Sequence, residues 1–568
     1  MKHLMIFFAL SLLASLSPLH AVTPQKNKRC EVDYIVVGGG TAGSVVGRML
    51  SDNLSNSVVI LERGPNHIND PKVLSCDLAR IEEILLDPTF STGFLAQDSF
   101  GQTRFLNNGT MLGGSGAHNT FLYVWADQTF DGWAALSGNP RWARNNILPL
   151  LKANETFLPF TGPSNPLRGV NGPMVITQNP PVDAQPIAQS AATILGAPLT
   201  SDYNVANLAT STFQNFCAPV NGVPERTFTG RAYLNSVINP NGTSKDQRKL
   251  TVKLEARATR ILFGGKDGKK AIGVEYVING RHEKVRRIYA KKEIIISSGS
   301  FYTPQLLLLS GIGPKQQLEK FSIPVVQINE HVGAHFKYHY GAIGIFSGVV
   351  PGTLPTVSFF NAHVPQTATR DSEFILYPVV PGGTYGVSLC VSTVGGTVNQ
   401  SNSAGTMLGW NLATRSEGRI QLADANPLKE PLIFVNSYSD GDLSDPNSDA
   451  SKSVRYFKLM RQIAQSVGQD MIFPSPADYA SDEKLFEDAL ISPLFTNHYL
   501  STCRMSKTAT GPQGGVVDGE LRVHGVRGLR IADLSVVPSD LPLTGNPATT
   551  ANIIGIVTAQ TLGATTIP

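Results

Sequence analysis

The stretch that most constrains this chain is residues 33–64, DYIVVGGGTAGSVVGRMLSDNLSNSVVILERG. Residues 34–37 are a short apolar run with β-branched side chains, suited to a buried parallel strand. Gly38, Gly40 and Gly43 follow in G-x-G-x-x-G spacing. Residues 41–54 read as a helix, and residues 57–61 as a second apolar strand ending at Glu62. A dinucleotide site needs these parts. Gly38 permits a tight turn, Gly40 lets backbone approach a pyrophosphate, and Gly43 lets the helix pack close to the strand. The helix N-terminus offers free N–H groups and a positive dipole end to phosphates. Glu62 stands about 20 residues on, where an acid accepts ribose hydroxyls. The alternative is a glycine-rich turn in another α/β fold. Strand, helix, second strand and terminal acid together favour the dinucleotide, without choosing between NAD and FAD.

At 568 residues the chain exceeds one ordinary core, so at least two domains are expected. Hydrophobic content of 42 % with 16 % charged residues describes a folded enzyme, and a net charge of +4 without a basic run excludes a nucleic-acid argument. Residues 1–21 read as a secretory signal: Lys2 and His3 open it, residues 4–16 are mostly apolar, and Leu19-His20-Ala21 offers a cleavage site. The competing reading, a membrane anchor, needs a longer apolar stretch. The mature protein is expected to be exported, secreted or periplasmic, with no stable membrane insertion. The five cysteines are Cys30, Cys76, Cys217, Cys390 and Cys503, an odd count that leaves at least one unpaired after export. No CxxC or Cys/His spacing suits a metal, so none is expected. Sequons at Asn53, Asn108, Asn154, Asn241 and Asn399 are weak evidence of glycosylation.

Further along, residues 71–107 read as helix and loop. Residues 108–133 are rich in glycine and then aromatic, a composition that lets backbone press against a flat ligand. A second domain begins after residue 141, with Pro-rich turns at 163–166 and 180–181. Residues 250–263, 271–278 and 284–288 are strand-like, and 293–298 is a buried strand leading into a helix over 303–309. Residues 339–434 suggest antiparallel sheet lining a pocket. Helices are expected over 451–467 and 548–562, with a strand at 529–532 between them.

Residues 299–313, GSFYTPQLLLLSGIG, match the second signature of the glucose–methanol–choline (GMC) oxidoreductase family at every defined position. Residues 109–119 resemble its first signature, and Asp533-x-Ser535-x-x-Pro538 with Asn546-Pro547 its C-terminal pattern. HYLSTCRM at 498–505 looks like its H-x-x-x-T-x-R-M stretch, and GAHFKYH at 333–339 is a looser echo of GxNLxDH. The resemblance implies an α/β architecture: a Rossmann-like FAD-binding domain assembled from discontinuous segments (30–150, 222–335 and 496–568), plus an α+β substrate domain with an antiparallel sheet (151–221 and 336–495). It places Thr41 and Ala42 at the pyrophosphate turn, Glu62 at the adenosine ribose with Arg63 beside it, and Ala258 near the adenine. Gly114 and Asn119 fall at the flavin edge, and Asp533 near the ribityl–phosphate chain. Asn546 and Pro547 also join the cofactor-binding set.

The implied activity is oxidation of a small-molecule alcohol, with oxygen or another acceptor taking the electrons. FAD carries the redox step and the protein supplies position and acid–base groups. His498 occupies the family's catalytic position and suits a base near neutral pH. Asn546 stands at the second position, where an amide both donates and accepts. The helix from residue 548 points its positive end at the flavin. Four departures matter. About two extra residues separate Pro538 from Asn546. Gly116 replaces a usual Ser. His118 replaces an aliphatic residue, as in choline oxidases, which attach FAD covalently through that His; Trp125-Ala126 also resembles that subgroup. Gly341 stands where choline oxidases carry a Glu, which argues against choline as substrate. The alternative activity is that of a hydroxynitrile lyase with non-redox FAD, like the plant mandelonitrile lyases; Asn546 counts against it, since those lyases resemble the His/His form of the site.

Overall fold

The computed structural model describes residues 30–568 apart from 126–128, 180–185, 206–209, 213, 280, 348–357, 361–371, 379–403, 492–493, 542 and 544. The expected signal at 1–21 lies outside the described residues, as do Ala126, Cys390, Asn399 and part of the sheet expected over 339–434. Among the described residues no helix is long and apolar enough to cross a membrane.

The strand Glu31–Val37 lies inside a seven-stranded sheet. Its neighbours are Ser57–Leu61 on one side and Arg281–Ile296 on the other, both parallel to it. Ile35 and Val36 are fully buried, which explains why the run is apolar at every position rather than alternating. Parallel pairing requires a crossover, and helix Thr41–Ser51 provides it. Lys249–Lys253 extends the sheet beyond Ser57–Leu61. Lys270–Ile278 and Ala256–Gly264 extend it antiparallel from the other edge. Leu529–Ile531, from near the C-terminus, pairs with the end of Arg281–Ile296. Helix Pro547–Thr561 packs on Thr41–Ser51 so closely that a Cβ on Gly555 would stand 2.8 Å from the Ala42 carbonyl oxygen.

The second sheet also has seven strands and is antiparallel throughout. Tyr340–Ser347 pairs along its whole length with Ala404–Asn411, which pairs in turn with Ser372–Pro378. Helix Asp449–Ser466 covers it, and the two sheets have separate apolar cores.

Three local expectations change. Residues 71–107 contain two short helices, Pro71–Leu74 and Leu78–Leu86, but also the strand Ser91–Gln97, which pairs antiparallel with Thr103–Gly109. Gly93, Asn107 and Gly109 are poor strand formers and conceal this hairpin. The run 250–263 is two strands on different parts of the sheet, broken where Glu255 takes a left-handed φ of 53°. Conversely, 284–288 and 293–296 belong to one 16-residue strand, Arg281–Ile296, which ends two residues before the expected 298. The division expected at 150/151 falls inside helix Arg144–Asn154, and that at 221/222 falls in the turn between Cys217–Val220 and Val223–Arg226. Cys76 and Cys217 form a disulfide; Cys30 is exposed and free, and Cys503 is buried and free. Asn154 is buried and bonded to Tyr233 and Asn552, so its sequon is inaccessible.

Candidate active site

Two cavities share Thr41, Ser115, Asn497, Leu534 and Ala551 as common wall.

The first cavity opens over the ends of the parallel strands. Gly38, with φ 100°, makes the turn out of Glu31–Val37; a Cβ there would stand 2.3 Å from the Ser297 carbonyl oxygen. Gly43 does not reach the cavity. Its Cβ would lie 1.9 Å from the Gly38 carbonyl oxygen, so it is glycine for helix–strand packing. Gly40 differs from both. Its φ is −71°, and the nearest atoms to an added Cβ are 3.8 and 4.0 Å away, so neither backbone nor packing requires glycine there. The space it leaves belongs to the cavity, as a pyrophosphate approach demands. Thr41 and Ala42 begin the helix on the same wall.

Glu62 also lines this cavity and is 5 % exposed. Its two carboxylate oxygens accept the Gly39 and Gly64 N–H groups, each at 2.7 Å. Burial raises its carboxyl above the ordinary range, against the pull of these two donors. Arg63 donates to the Thr92 hydroxyl at 2.8 Å and lies 4.4 Å over the Tyr302 ring. Ala258 lines the cavity from strand Ala256–Gly264, and Gly114 from the loop opposite. Asp533 accepts from the Gly299 N–H at 2.9 Å and the Thr303 hydroxyl at 2.6 Å, tying the C-terminal segment to helix Gly299–Leu309. Burial raises its carboxyl as well.

The second cavity brings His118, Asn119, His498, Asn546 and Pro547 together. His118 is 2 % exposed, and neither ring nitrogen has a hydrogen-bond partner. Burial, reinforced by the Arg226 cation, pushes its pKa down to about 4, so it is neutral at pH 7. Asn119 holds the Phe121 N–H on its side-chain oxygen at 3.0 Å, and its NH2 is buried without a partner. The Ser297 hydroxyl, on the first cavity's wall, is another buried group without a partner. Buried polar groups are rarely left unpaired, so these atoms, with the open face of Gly40, fit a polar ligand along the joined cavities.

His498 is half-buried on the cavity wall, with its Nδ1 3.0 Å from Nδ1 of His339. Burial pushes His498 down to about 3 and His339 well below its ordinary value. Both rings are neutral at pH 7 and share one hydrogen between the two Nδ1 atoms. His498 Nε2 has no protein partner among the described residues, and the ring borders the cavity.

Asn546 caps helix Pro547–Thr561, its side-chain oxygen accepting the Ala548 N–H at 2.8 Å. The cap uses one lone pair of that oxygen, and no protein partner is seen for the NH2 among the described residues. The helix starts at Pro547, and the Ala548 N–H is spent on the cap. Residues 542 and 544, in the loop with two extra residues, lie outside the described residues. Gly116 in place of Ser also has a reason: a Cβ there would be 2.7 Å from the Thr41 hydroxyl. Sequence reasoning missed Tyr302, Thr303 and Ser297, although the first two sit inside the second signature. It also missed Trp410 and Arg226, which stand in no motif.

Family models of the GMC oxidoreductases match residues 32–341 and 414–555. An oxygen-dependent choline dehydrogenase of Pseudomonas putida is 28 % identical, covering 95 % of this chain and 95 % of that protein. A choline oxidase of Arthrobacter globiformis is 26 % identical, covering 92 % of this chain and 93 % of that protein. The pyridoxine 4-oxidase structure from Mesorbium loti shares the fold at a TM-score of 0.76 and 19 % identity, over 93 % of this chain and 98 % of that one. The chain belongs to the GMC oxidoreductase family and is an FAD-dependent alcohol oxidoreductase.

Proposed function

We propose that His498 is the base that takes the hydroxyl proton of the alcohol, and that Asn546 holds the hydroxyl oxygen through its NH2. The observation that carries this reading is the meeting of both side chains in one cavity with His118 and Asn119. In the first cavity Glu62, Thr41, Ala42, Arg63, Ala258 and Asp533 hold the nucleotide part of FAD. His118, Asn119 and Pro547 flank its flavin, and bound FAD supplies the acceptor for the hydride on the alcohol carbon.

The base role requires one tautomer. The shared hydrogen sits on His498 Nδ1 and is donated to His339 Nδ1, which leaves the lone pair on His498 Nε2 toward the cavity. As Nε2 takes the hydroxyl proton, the Asn546 NH2 donates to the oxygen and restrains its movement. Leu122, Leu408 and Trp410 give the cavity an apolar wall for the carbon skeleton. Choline is not the proposed substrate. A Cβ on Gly341 would lie 2.0 Å from the Gly409 carbonyl oxygen, so no carboxylate side chain fits there. Nothing among the described residues favours the hydroxynitrile-lyase alternative.

Two further readings belong here. His118, neutral and without a partner at either ring nitrogen, is proposed to carry FAD covalently, as its resemblance to choline oxidases suggests. The protein is proposed to be exported: the Cys76–Cys217 disulfide supports an oxidising compartment, as the apolar stretch at 4–16 does. The test of function is anaerobic mixing of the purified flavoprotein with a panel of alcohols. At least one alcohol should bleach the visible flavin band, and peroxide or dye reduction on readmitting acceptor then separates oxidase from dehydrogenase. No bleaching by any alcohol, with cyanide released from mandelonitrile, would replace this reading by the lyase. Acid precipitation should leave the yellow colour in the pellet; colour wholly in the supernatant refutes the covalent bond.

A further inference from the structure

We infer that Arg226, held in register by the Cys76–Cys217 disulfide, is the positioning residue for the flavin-side loop 118–121. The inference rests on the reading that this loop faces the flavin. Arg226 is 1 % exposed and lies outside every motif of the sequence. One terminal nitrogen of its guanidinium donates to the Asn119 carbonyl oxygen at 2.7 Å and to the Asn119 side-chain oxygen at 2.9 Å. Its Nε donates to the Val73 carbonyl oxygen at 3.1 Å, and its plane lies 4.1 Å over the Phe121 ring. A planar fork reaches all three groups at once, which an ammonium does not.

The contacts determine how Asn119 is turned. Its side-chain oxygen serves both Arg226 and the Phe121 N–H, so its NH2 is directed elsewhere, and it is buried with no protein partner. Phe121 has φ 68°, a left-handed conformation rare for a bulky residue that persists only where its surroundings enforce it. Arg226 supplies that enforcement from one side, and the backbone bond from Phe216 N–H to the Phe121 carbonyl, 2.9 Å, supplies it from the other. The cation also stands close enough to His118 to help keep that imidazole neutral.

The disulfide fixes the fixer. Cys217 pairs directly across the hairpin from Arg226, and Cys76 lies three residues after Val73, whose carbonyl Arg226 holds. The covalent link and the guanidinium therefore close one ring between helix Pro71–Leu74 and the hairpin. With that ring closed, the guanidinium has one place to stand relative to Asn119.

The test compares wild type, Arg226→Met, Arg226→Lys and the double variant Cys76→Ser/Cys217→Ser, all purified with flavin. Visible circular dichroism of bound flavin reports its contacts. The acid-stable flavin fraction reports attachment at His118, and the FAD release rate replaces it where attachment is absent. Arg226→Met should change the flavin dichroism and lower the acid-stable fraction, or speed release, at least tenfold. Arg226→Lys should recover only part of this, and the disulfide variant should fall between wild type and Arg226→Met. A purely structural arginine would lower the melting temperature and leave dichroism, attachment and release as in wild type; that result overturns the inference. If Arg226→Met does not fold, wild-type holoenzyme is treated with a phosphine reductant under native conditions. Altered flavin dichroism supports the clamp and unchanged dichroism after complete reduction overturns it. A wild type that purifies without flavin would instead overturn the underlying reading of the site.

Discussion

The two ends of the joined cavity are built by different means. At the nucleotide end backbone does much of the holding: the N–H groups of Gly39 and Gly64 hold Glu62, and the Leu61 carbonyl accepts the Gly38 N–H. At the catalytic end, side chains from remote segments hold one another: His498 with His339, 159 residues away, and Asn119 with Arg226, 107 away. One end recognises shape with small residues and fixed N–H groups. The other places single functional groups. Damage at the first end should therefore cost the cofactor, and loss of His498 at the second should cost turnover while the cofactor stays.

The largest effect tests the first end against itself. Gly43→Val places carbon within the Gly38 carbonyl, so no soluble holoprotein is expected; overpacking alone typically costs about 1–3 kcal/mol, and here the neighbour is backbone. Gly40→Ala meets nothing closer than 3.8 Å and should leave the melting temperature of the flavin-free protein within about 2 °C of wild type. Its acid-stable flavin fraction should still fall or, where attachment is absent, its FAD release should quicken at least tenfold. Equal loss of stability in both variants would show that Gly40 is not reserved for ligand.

The next test concerns pH at the catalytic end. An exposed imidazole base loses activity as pH falls through about 6.5. Burial holds His498 near 3, so kcat/KM for an active alcohol should show no such limb between pH 8 and 5. Stability runs the other way. The unfolded chain takes up protons at its histidines near pH 6.5 and the folded chain does not, so this stability is complete above about 6.5 and is lost as pH falls toward the folded values. Each such histidine steepens the loss by at most about 1.4 kcal/mol per pH unit. Urea unfolding of wild type and His498→Asn at pH 7 and 5 checks this: the variant should lose less.

The smallest effect separates the two jobs of Asn546. Asn546→Ala removes the helix cap, worth about 1 kcal/mol, as well as the donor proposed for the substrate oxygen. Asn546→Asp keeps an oxygen for the Ala548 N–H and so should keep the melting temperature. It replaces the donor by an acceptor, and kcat/KM should fall by about tenfold or more. If Asn546→Asp retains full activity, the NH2 has no part in the reaction.

The same contrast explains what the sequence made legible. Strand, turn, helix and acid at 31–62 obey local rules and appear in the expected order, with the strand starting at Glu31 rather than 34 and the helix ending at Ser51 rather than 54. Helix Gly299–Leu309 has no amphipathic stripe, because it is buried on all sides, so the sequence marked it only from 303 and missed its first turn. The left-handed Glu255 and the Gly- and Asn-rich hairpin at 91–109 defeated propensity, because pairing with distant strands outweighed local preference. His498 and Asn546 were visible through their motifs. The His339 partnership and Arg226 depend on contacts between segments that no spacing relates, whereas the Asn546 cap is local, an Asn directly before a Pro that opens a helix.

The central claim is that the catalytic end works through His498 while the nucleotide end holds FAD independently of it. The direct measurement is anaerobic rapid mixing of wild type and His498→Ala, at equal flavin content, with the alcohol that bleaches wild type fastest. The account predicts the same flavin content and attachment in both proteins, and bleaching about 10²–10⁴-fold slower in His498→Ala across pH 6–9. Bleaching at the wild-type rate in His498→Ala, or loss of its flavin on purification, would contradict it.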